Sequence, residues 1–236
     1  MTPTETLIVL QARMGSRRLP GKSLSRVGAH SLLGTCIRRL RSAGGIPVMV
    51  ATTTGAEDDA IAAEAGRYGA EVCRGSSHDV LARFVLASRI AGATRIIRAT
   101  ADNPAVDIDA VARVLRVMDR EQADHVVEGG LPYGAAVEAV RVTALERASR
   151  FSCEGDDREH VTPYLTRNTD RFVALRPAAP AALCRPDLRL TIDTRDDLRY
   201  MREVFACLGR QGDLAPLSTV IAAADRLRAA ATLGAA

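Results

Sequence analysis

The 236-residue sequence contains no tryptophan, and aromatic residues amount to only 3% of the chain. Platforms that stack single-stranded nucleic acid are built from aromatic side chains, so this class of partner is disfavoured. The five cysteines are scattered and include no CxxC pair, which disfavours a zinc site and a disulfide framework. The early apolar run, residues 7–10, is too short for a signal peptide or a membrane span. We therefore expect a cytoplasmic protein that binds neither nucleic acid nor membranes.

The residues that are present suit a single globular domain, which we expect to span residues 1–236. Hydrophobic residues make up 47% and charged residues 25% of the chain, and the net charge is +4. These values are ordinary for a soluble protein with a real core. The mild excess of arginine favours an anionic small molecule over a nucleic-acid backbone as the ligand.

Short apolar runs alternate with helical patterns in the first half of the chain. Buried strands are predicted at residues 7–10, 48–51, 71–73 and 95–99, and helices at 32–40, 57–68, 80–88 and 108–118. This alternation indicates βαβ units and a mostly parallel sheet of the α/β class. Because ligands of such sheets bind beyond the carboxyl ends of the strands, the loop after Leu10 and the segment after Arg98 are placed at the site.

The pattern changes after Asp124. Strands are predicted at residues 125–127, 136–140 and 172–175, with a helix at 143–150 and a proline-interrupted helix at 157–167. We expect residues 124–187 to form a small α+β insertion beside the site. A strand over 188–192 that ends on Asp193, a helix over 196–208 and an alanine-rich helix over 217–231 complete the prediction.

The loop after the first strand, Gln11 to Lys22, carries most of the functional signal. It places three arginines and one lysine within ten residues, interleaved with two glycines. Glycines let backbone N–H groups approach an anion, and the cations neutralise its charge, so the combination suits a triphosphate. Charge runs are more often solvated surface. Here the position at the carboxyl edge of a sheet favours the anion site.

This loop is not a Walker A motif, although part of it has the same spelling. Gly21-Lys22-Ser23 fits the second half of G-x-x-x-x-G-K-[ST], but the first glycine would have to stand at Ser16. The nearest glycine is Gly15, one residue too early. Pro20 also restricts Leu19 to non-helical geometry. We therefore reject a P-loop NTPase.

Seven short blocks follow one another in a fixed order along the chain. They are residues 10–22 (LQARMGSRRLPGK), 74–76, 79–84, 98–104 (RATADNP), 132–134, 159–164 (EHVTPY) and 190–194 (LTIDT). In these blocks and their order the sequence resembles the cytidylyltransferase family, which includes the CMP-Kdo and CMP-sialic acid synthetases. The resemblance extends over residues 7 to about 205 and is greatest to the spore-coat-polysaccharide (SpsF-like) branch. The resemblance implies a Rossmann-like sheet of the nucleotide-diphospho-sugar transferase type and transfer of CMP from CTP to a sugar or sugar acid, with release of pyrophosphate.

The resemblance also assigns roles to individual residues. Lys22 and Arg13 would be catalytic, and Asp102 and Asp193 would hold Mg²⁺. The nucleotide would be bound by Gln11, Ala12, Arg13, Gly15, Arg17, Arg18, Lys22, Thr100 and Asp102. Without the resemblance, a turn is the better explanation of Asp102, and the cap region of a helix is the better explanation of Asp193. Two carboxylates at neighbouring strand ends suit Mg²⁺, which binds carboxylates together with phosphate oxygens.

The acceptor side is implied less specifically. It would include Asn103, Tyr133, Glu138, Glu159 and His160, with the insertion also forming the contact of a homodimer. Glu138 could equally be an outward carboxylate on an edge strand, and His160 a packed helical histidine. Specificity for GTP or ATP, a phosphate or phosphonate acceptor, and an inactive nucleotide-sugar-binding protein all stay open. We assign no role to His30, His78 or His125.

Overall fold

The computed structural model describes residues 4–209 and 212–234. The strands in this part of the chain are β1 (Thr6–Gln11), β2 (Arg26–Val27), β3 (His30–Ser31), β4 (Val48–Thr53), β5 (Glu71–Gly75), β6 (Arg95–Thr100), β7 (His125–Val127), β8 (Glu138–Arg141) and β9 (Ala174–Leu175). The helices are α1 (Leu32–Arg41), α2 (Asp59–Arg67), α3 (Val80–Ala91), α4 (Ala110–Arg120), α5 (Val142–Phe151), α6 (Gly155–His160), α7 (Pro163–Arg167), α8 (Arg195–Leu208) and α9 (Leu217–Gly234).

Seven strands form one sheet in the order β5-β4-β1-β6-β8-β7-β9. The four strands from β5 to β6 are parallel, whereas β8 runs antiparallel to both of its neighbours and β9 is parallel to β7. The predicted mostly parallel α/β sheet is therefore confirmed. The segment after Asp124 contributes its strands β7, β8 and β9 to this same sheet.

Both faces of the sheet are covered, which explains the continuous apolar runs of the central strands. Along β1, Ile8 and Leu10 face a core shared with α1, α4, α8 and α9. Leu7 and Val9 face a second core shared with α3 and α5. Across residues 4–209 and 212–234, no helix has the length and apolar character that a membrane crossing requires.

The prediction of a strand over residues 188–192 is wrong. This extended segment makes one isolated bridge, between Arg189 and Tyr133, and joins neither edge of the sheet. The Leu190 N–H donates to the carbonyl of Tyr133 at 2.8 Å, and the Ile192 N–H donates to that of Asp102 at 2.8 Å. Its alternate apolar side chains are buried because the segment packs between loops and helices. The alternation of apolar residues that suggested a strand therefore comes from burial alone, because this segment has no neighbouring strand to pair with among the described residues.

The proline-interrupted helix predicted over residues 157–167 is divided into two short helices in the structure. α6 ends at His160, and Val161 follows with a positive φ of 74°. α7 then begins at Pro163, which occupies the first turn. Proline lacks an N–H group and clashes with a preceding helical turn, so it begins a helix here and does not continue one.

Candidate functional site

All fifteen site residues predicted from the sequence line one cavity of about 1100 Å³. The cavity opens at the carboxyl ends of β1, β4 and β6, where the parallel part of the sheet meets β8. The ends of parallel strands meet at one edge, so segments far apart in sequence converge there. The cavity therefore lies where we expected a ligand to bind on the basis of the sequence.

The loop after β1 is held by buried groups beneath it. The Met14 N–H donates to Oδ1 of Asp58 at 2.7 Å, and the Ser23 hydroxyl donates to the carbonyl of Arg13 at 3.2 Å. Gly21 adopts the left-handed conformation, with φ at 71°, immediately before Lys22. Residues with a Cβ adopt this conformation only at a cost, so Gly21 sets the direction of the chain at the lysine.

Asp58 is a residue that the sequence analysis missed. Its side chain is buried, and besides Met14 it accepts hydrogen bonds from the backbone N–H and the hydroxyl of Thr53 at the end of β4. It thereby fixes the loop to the adjacent strand. From the sequence, Asp58 lies in the first turn of the helix predicted over residues 57–68, where acidic residues are common.

The ammonium group of Lys22 joins the two aspartates predicted to hold a metal. We call Lys22, Asp102 and Asp193 the loop cluster. Lys22 Nζ lies 3.2 Å from Oδ2 of Asp102, 3.0 Å from Oδ1 of Asp193 and 2.7 Å from the carbonyl oxygen of Ile192. The lysine side chain is only 12% exposed, so these contacts are shielded from bulk water.

Asp193 has cationic partners on both carboxylate oxygens. Arg18 lies 3.2 Å from Oδ1, the oxygen that also contacts Lys22, and Arg189 donates to Oδ2 at 2.7 Å. Burial alone would raise the pKa of Asp193, but Lys22, Arg189 and Arg18 outweigh it and hold that pKa below its usual value. The carboxylate is therefore ionised at neutral pH.

The backbone at Asp193 is positioned by the helix that follows. Thr194 caps α8, and its hydroxyl accepts from the Asp197 N–H at 3.1 Å. Asp197 in turn accepts from the N–H groups of Asp193 and Thr194, each at 2.9 Å. This capping box fixes the start of the helix, so Asp193 is held at the cavity wall without being the cap itself.

The donor set suits Mg²⁺ only when phosphate oxygens complete it. No group of three or more histidine, cysteine or acidic side chains in the described residues is arranged to hold a metal. Asp102 and Asp193 nevertheless direct one oxygen each at the same point, the ammonium nitrogen of Lys22. Mg²⁺ in phosphoryl-transfer sites is bound in this way, by one or two carboxylates and the substrate phosphates.

A second charged group, which we call the sheet cluster, lies on neighbouring strands of the cavity wall. It consists of Arg98, Glu138 and His125. Arg98 on β6 is directly opposite Glu138 on β8 and donates to its Oε1. His125 Nε2 lies 2.8 Å from Glu138 Oε2. Burial works to raise the pKa of Glu138, but Arg98 and His125 prevail and lower it to about 2.

The sheet cluster differs from what the sequence suggested. β8 lies between β6 and β7, so Glu138 does not lie on an edge strand. His125, to which no role was assigned, is buried and is a partner of Glu138. Only the antiparallel register of β8 reveals these pairs, because the three residues belong to three different strands.

The remaining predicted acceptor residues lie around the cavity rim. Arg13 donates to Glu159 at 2.6 Å, which links the loop after β1 to α6. His160 is exposed and lies 3.4 Å from Asp156. Tyr133, with 61% of its surface exposed, is stacked under the guanidinium of Arg189. The side chains on this rim are more exposed than those of the two clusters.

Asn103 and Gln11 lie deeper in the cavity. The amide of Asn103 donates to the Thr100 hydroxyl at 2.8 Å, which connects the turn after β6 to the last residue of that strand. Gln11 Oε1 and Arg98 Nε are buried and have no hydrogen-bond partner within the described chain. Unpaired buried polar atoms are costly, and their presence beside a cavity is consistent with groups that a ligand or water satisfies.

The fold and the site together define a nucleotidyltransferase, and comparison with known proteins identifies its family. The profile of a family described as Cytidylyltransferase matches residues 7–215. The spore coat polysaccharide biosynthesis protein SpsF of Bacillus subtilis (strain 168) is 32% identical over 216 residues, covering 89% of this chain and 90% of that protein. This chain belongs to the cytidylyltransferase family.

Two further comparisons agree with this assignment. The 3-deoxy-manno-octulosonate cytidylyltransferase of Afipia carboxidovorans is 29% identical over 246 residues, covering 87% of this chain and 99% of that protein. The solved structure of a cytidylyltransferase from Leptospira borgpetersenii superposes with a TM-score of 0.87 at 26% identity, covering 95% of both chains. The predicted fold class and family are therefore confirmed.

Proposed function

We propose that this protein catalyses the Mg²⁺-dependent transfer of CMP from CTP to a sugar or sugar-acid acceptor, with release of pyrophosphate. The observation that carries the proposal is the convergence of Lys22, Asp102 and Asp193 beneath the basic loop, at the mouth of a cavity large enough for a nucleotide and an acceptor. The names of two relatives, SpsF and the 3-deoxy-manno-octulosonate cytidylyltransferase, support cytidine and a sugar-type acceptor.

In this proposal the basic loop binds the triphosphate. Arg13 and Lys22 contact its charged oxygens, Arg17 and Arg18 add positive charge, and the backbone of Gly15 lies open to the cavity. An acceptor oxygen attacks the α-phosphorus in line, forming a new P–O bond while the bond to the β-phosphate oxygen breaks and pyrophosphate leaves. Cations placed where negative charge develops are the main source of acceleration in such transfers.

Asp102 and Asp193 would hold the magnesium ion. When bound, Mg²⁺ supplies charge neutralisation to the phosphate oxygens. The cations already paired with Asp193 hold the pKa of its carboxyl below the usual value and keep that carboxylate ionised. Gln11, Ala12 and Thr100, at the ends of β1 and β6, complete the proposed nucleotide side.

The acceptor side is proposed to lie over β6 and β8. The acceptor would contact Asn103, Tyr133, Glu138, Glu159 and His160, which all line the cavity. Because Glu138 is already paired with Arg98 and His125, the sheet cluster presents an ion pair to the acceptor, and not a lone charge. Ion pairs of this kind offer both acceptors and donors to hydroxyl groups.

Residues 124–187 are also proposed to supply the contact of a homodimer. Phe151 and Val173 in this segment are exposed apolar side chains, with 58% and 48% of their surfaces accessible. Exposed apolar groups of this size mark interaction surfaces when they are contiguous. Light scattering of the purified protein should report a dimer, and Phe151→Glu should shift it to a monomer; a wild-type monomer would overturn this proposal.

The decisive test of the proposed function is pyrophosphate release with each of the four nucleoside triphosphates, Mg²⁺ and a panel of sugars and sugar acids. We expect turnover with CTP and at least one acceptor, together with thermal stabilisation by CTP. Stabilisation by GTP or ATP alone would overturn the cytidine assignment, and turnover only with a phosphate or phosphonate would overturn the acceptor class. Binding of CTP without turnover across the panel would favour an inactive nucleotide-sugar-binding protein.

A further inference from the structure

In the structure, the ammonium group of Lys22 has no hydrogen free for a nucleotide. An ammonium carries three donors, and the three contacts of Lys22 Nζ are with Asp102, Asp193 and the carbonyl of Ile192. To donate to a phosphate, the lysine must therefore release at least one of these partners. Lys22 therefore cannot keep all three of these hydrogen bonds and bind the triphosphate at the same time.

The same ammonium lies where the proposed metal would bind. Its nitrogen is 3.2 Å from one oxygen of Asp102 and 3.0 Å from one oxygen of Asp193. These are the two carboxylates that would ligate Mg²⁺, and both direct these oxygens at the lysine. A positive charge of the protein itself therefore occupies the space between them.

The local charge balance also disfavours a free metal ion. Asp193 contacts Lys22, Arg18 and Arg189, and Arg189 also contacts Asp197. With Asp102 and Asp197 included, three carboxylates face three cations. No net negative charge is left to attract a divalent cation until a triphosphate brings its own.

We infer that Lys22 closes the metal position in the nucleotide-free protein and exchanges with the metal when the nucleotide binds, its ammonium then moving to the triphosphate. This inference rests on the proposed function, because it takes Asp102 and Asp193 as the metal ligands. It makes Lys22 responsible for coupling the two binding events. Metal alone binds weakly, and metal together with nucleotide binds strongly, since each lowers the cost of the other.

The test measures the affinity of the nucleotide-free protein for Mn²⁺. Binding is monitored through the electron paramagnetic resonance signal of the Mn²⁺ that remains free. Lys22→Met removes the ammonium and keeps the length of the side chain. Arg17→Met is the matched control, because Arg17 lies in the same loop and lines the same cavity but contacts neither carboxylate in the described structure. Both variants lose one positive charge, so only the position of that charge differs.

We expect Lys22→Met to bind Mn²⁺ about tenfold or more tightly than the wild type, and Arg17→Met to stay within about threefold of it. An affinity of Lys22→Met no higher than that of Arg17→Met would overturn the inference. Lys22→Gln keeps a donor for the carbonyl of Ile192 and should also bind Mn²⁺ more tightly than the wild type. It replaces Lys22→Met in the test if the methionine variant does not fold. No change in Lys22→Gln would likewise overturn it.

A double variant separates this inference from the proposed function. Adding Asp193→Asn to Lys22→Met should abolish the gain in Mn²⁺ affinity. If the gain persists, the metal does not use Asp193, and the metal site of the proposed function is wrong. If Asp193→Asn weakens Mn²⁺ binding but Lys22→Met never tightened it, the metal site stands and only the exchange by Lys22 is refuted.

Discussion

Two charged clusters lie at the same cavity, and they are built in different ways. The loop cluster joins residues that are 80 and 171 positions apart and that lie outside the strands of the sheet. The sheet cluster joins neighbouring strands whose register places Arg98 directly opposite Glu138. Partners in the loop cluster can therefore be exchanged without breaking a backbone ladder, whereas the sheet cluster is fixed by the sheet. We conclude that the first is suited to chemistry and the second to holding the cavity wall in place.

The largest predicted effect is a loss of turnover when Lys22 is replaced. Lys22→Met should lower kcat with CTP by about 10²–10³, since it removes one cation from a site of developing charge. The loss of stability should be smaller than for Glu138→Gln, because Arg18 and Arg189 still neutralise Asp193. Steady-state kinetics and thermal denaturation give the two numbers. A large drop in melting temperature with residual turnover would mean that the loop cluster is structural.

The second prediction concerns Glu138, where the effect should fall on stability. Glu138→Gln leaves Arg98, whose side chain is only 14% exposed, without a counter-ion and should lower the free energy of unfolding by about 3 kcal/mol at pH 7. The control is Glu146→Gln, which breaks the more exposed pair with Arg89 and should cost less than about 1 kcal/mol. Urea denaturation measures both. Equal losses in the two variants would remove the distinction between the clusters.

The stabilisation by Glu138 should also depend on pH in a defined direction. Its pKa in the folded protein is about 2, below the ordinary value of 4.5. The stabilisation is therefore complete above about pH 4.5 and is lost as the pH falls towards 2. The difference in unfolding free energy between wild type and Glu138→Gln should shrink across that window. A difference that stays constant down to pH 2 would show that the charge of Glu138 is not its source.

Replacing Asp58 should have a smaller effect, and this effect should be a weaker binding of the nucleotide. Asp58→Asn removes one acceptor oxygen from the group that holds Met14 and Thr53, at a cost of about 1–3 kcal/mol in stability. Since Asp58 positions the loop, we expect KM for CTP to rise more than kcat falls. Asp59→Asn, one residue along and exposed, is the control. A fall in kcat alone, with KM unchanged, would contradict a positioning role.

Substitution of the two glycines in the loop should have the smallest effects. One substitution should affect stability and the other CTP binding. A Cβ on Gly15 would meet nothing within 4 Å, whereas Gly21 requires a positive φ of 71°. Gly21→Ala should therefore destabilise the fold by about 1 kcal/mol, and Gly15→Ala should leave it unchanged but weaken CTP binding. Thermal melts and CTP titrations separate them. Normal CTP binding by Gly15→Ala would show that the nucleotide does not approach this backbone.

The proposed nucleotide side of the cavity was predictable where its segments follow parallel strands. The loop after β1 and the segment after β6 had to meet, since adjacent parallel strands end at one edge. Asp193 was placed correctly at the cavity although the strand predicted before it is wrong. Its position comes from the hydrogen bond between Ile192 and the carbonyl of Asp102, which no local pattern encodes.

The sheet cluster was beyond prediction for a physical reason. A strand pattern fixes which side chains share a face, but it does not fix the partner strand or the register. Without the antiparallel pairing of β8 with β6 and β7, nothing connects His125 with Glu138 or Glu138 with Arg98. Asp58 was missed for a similar reason, because its partners Met14 and Thr53 lie on two other segments.

The most direct test of the central claim is a crystal structure with CTP and Mn²⁺, with the metal located by its anomalous signal. The account predicts an anomalous peak between Asp102 and Asp193, the triphosphate against residues 11–22, and Lys22 Nζ moved from the carboxylates to a phosphate oxygen. The sheet cluster should be unchanged in the same crystal. A metal or triphosphate bound elsewhere, with Lys22 still between the two aspartates, would contradict it.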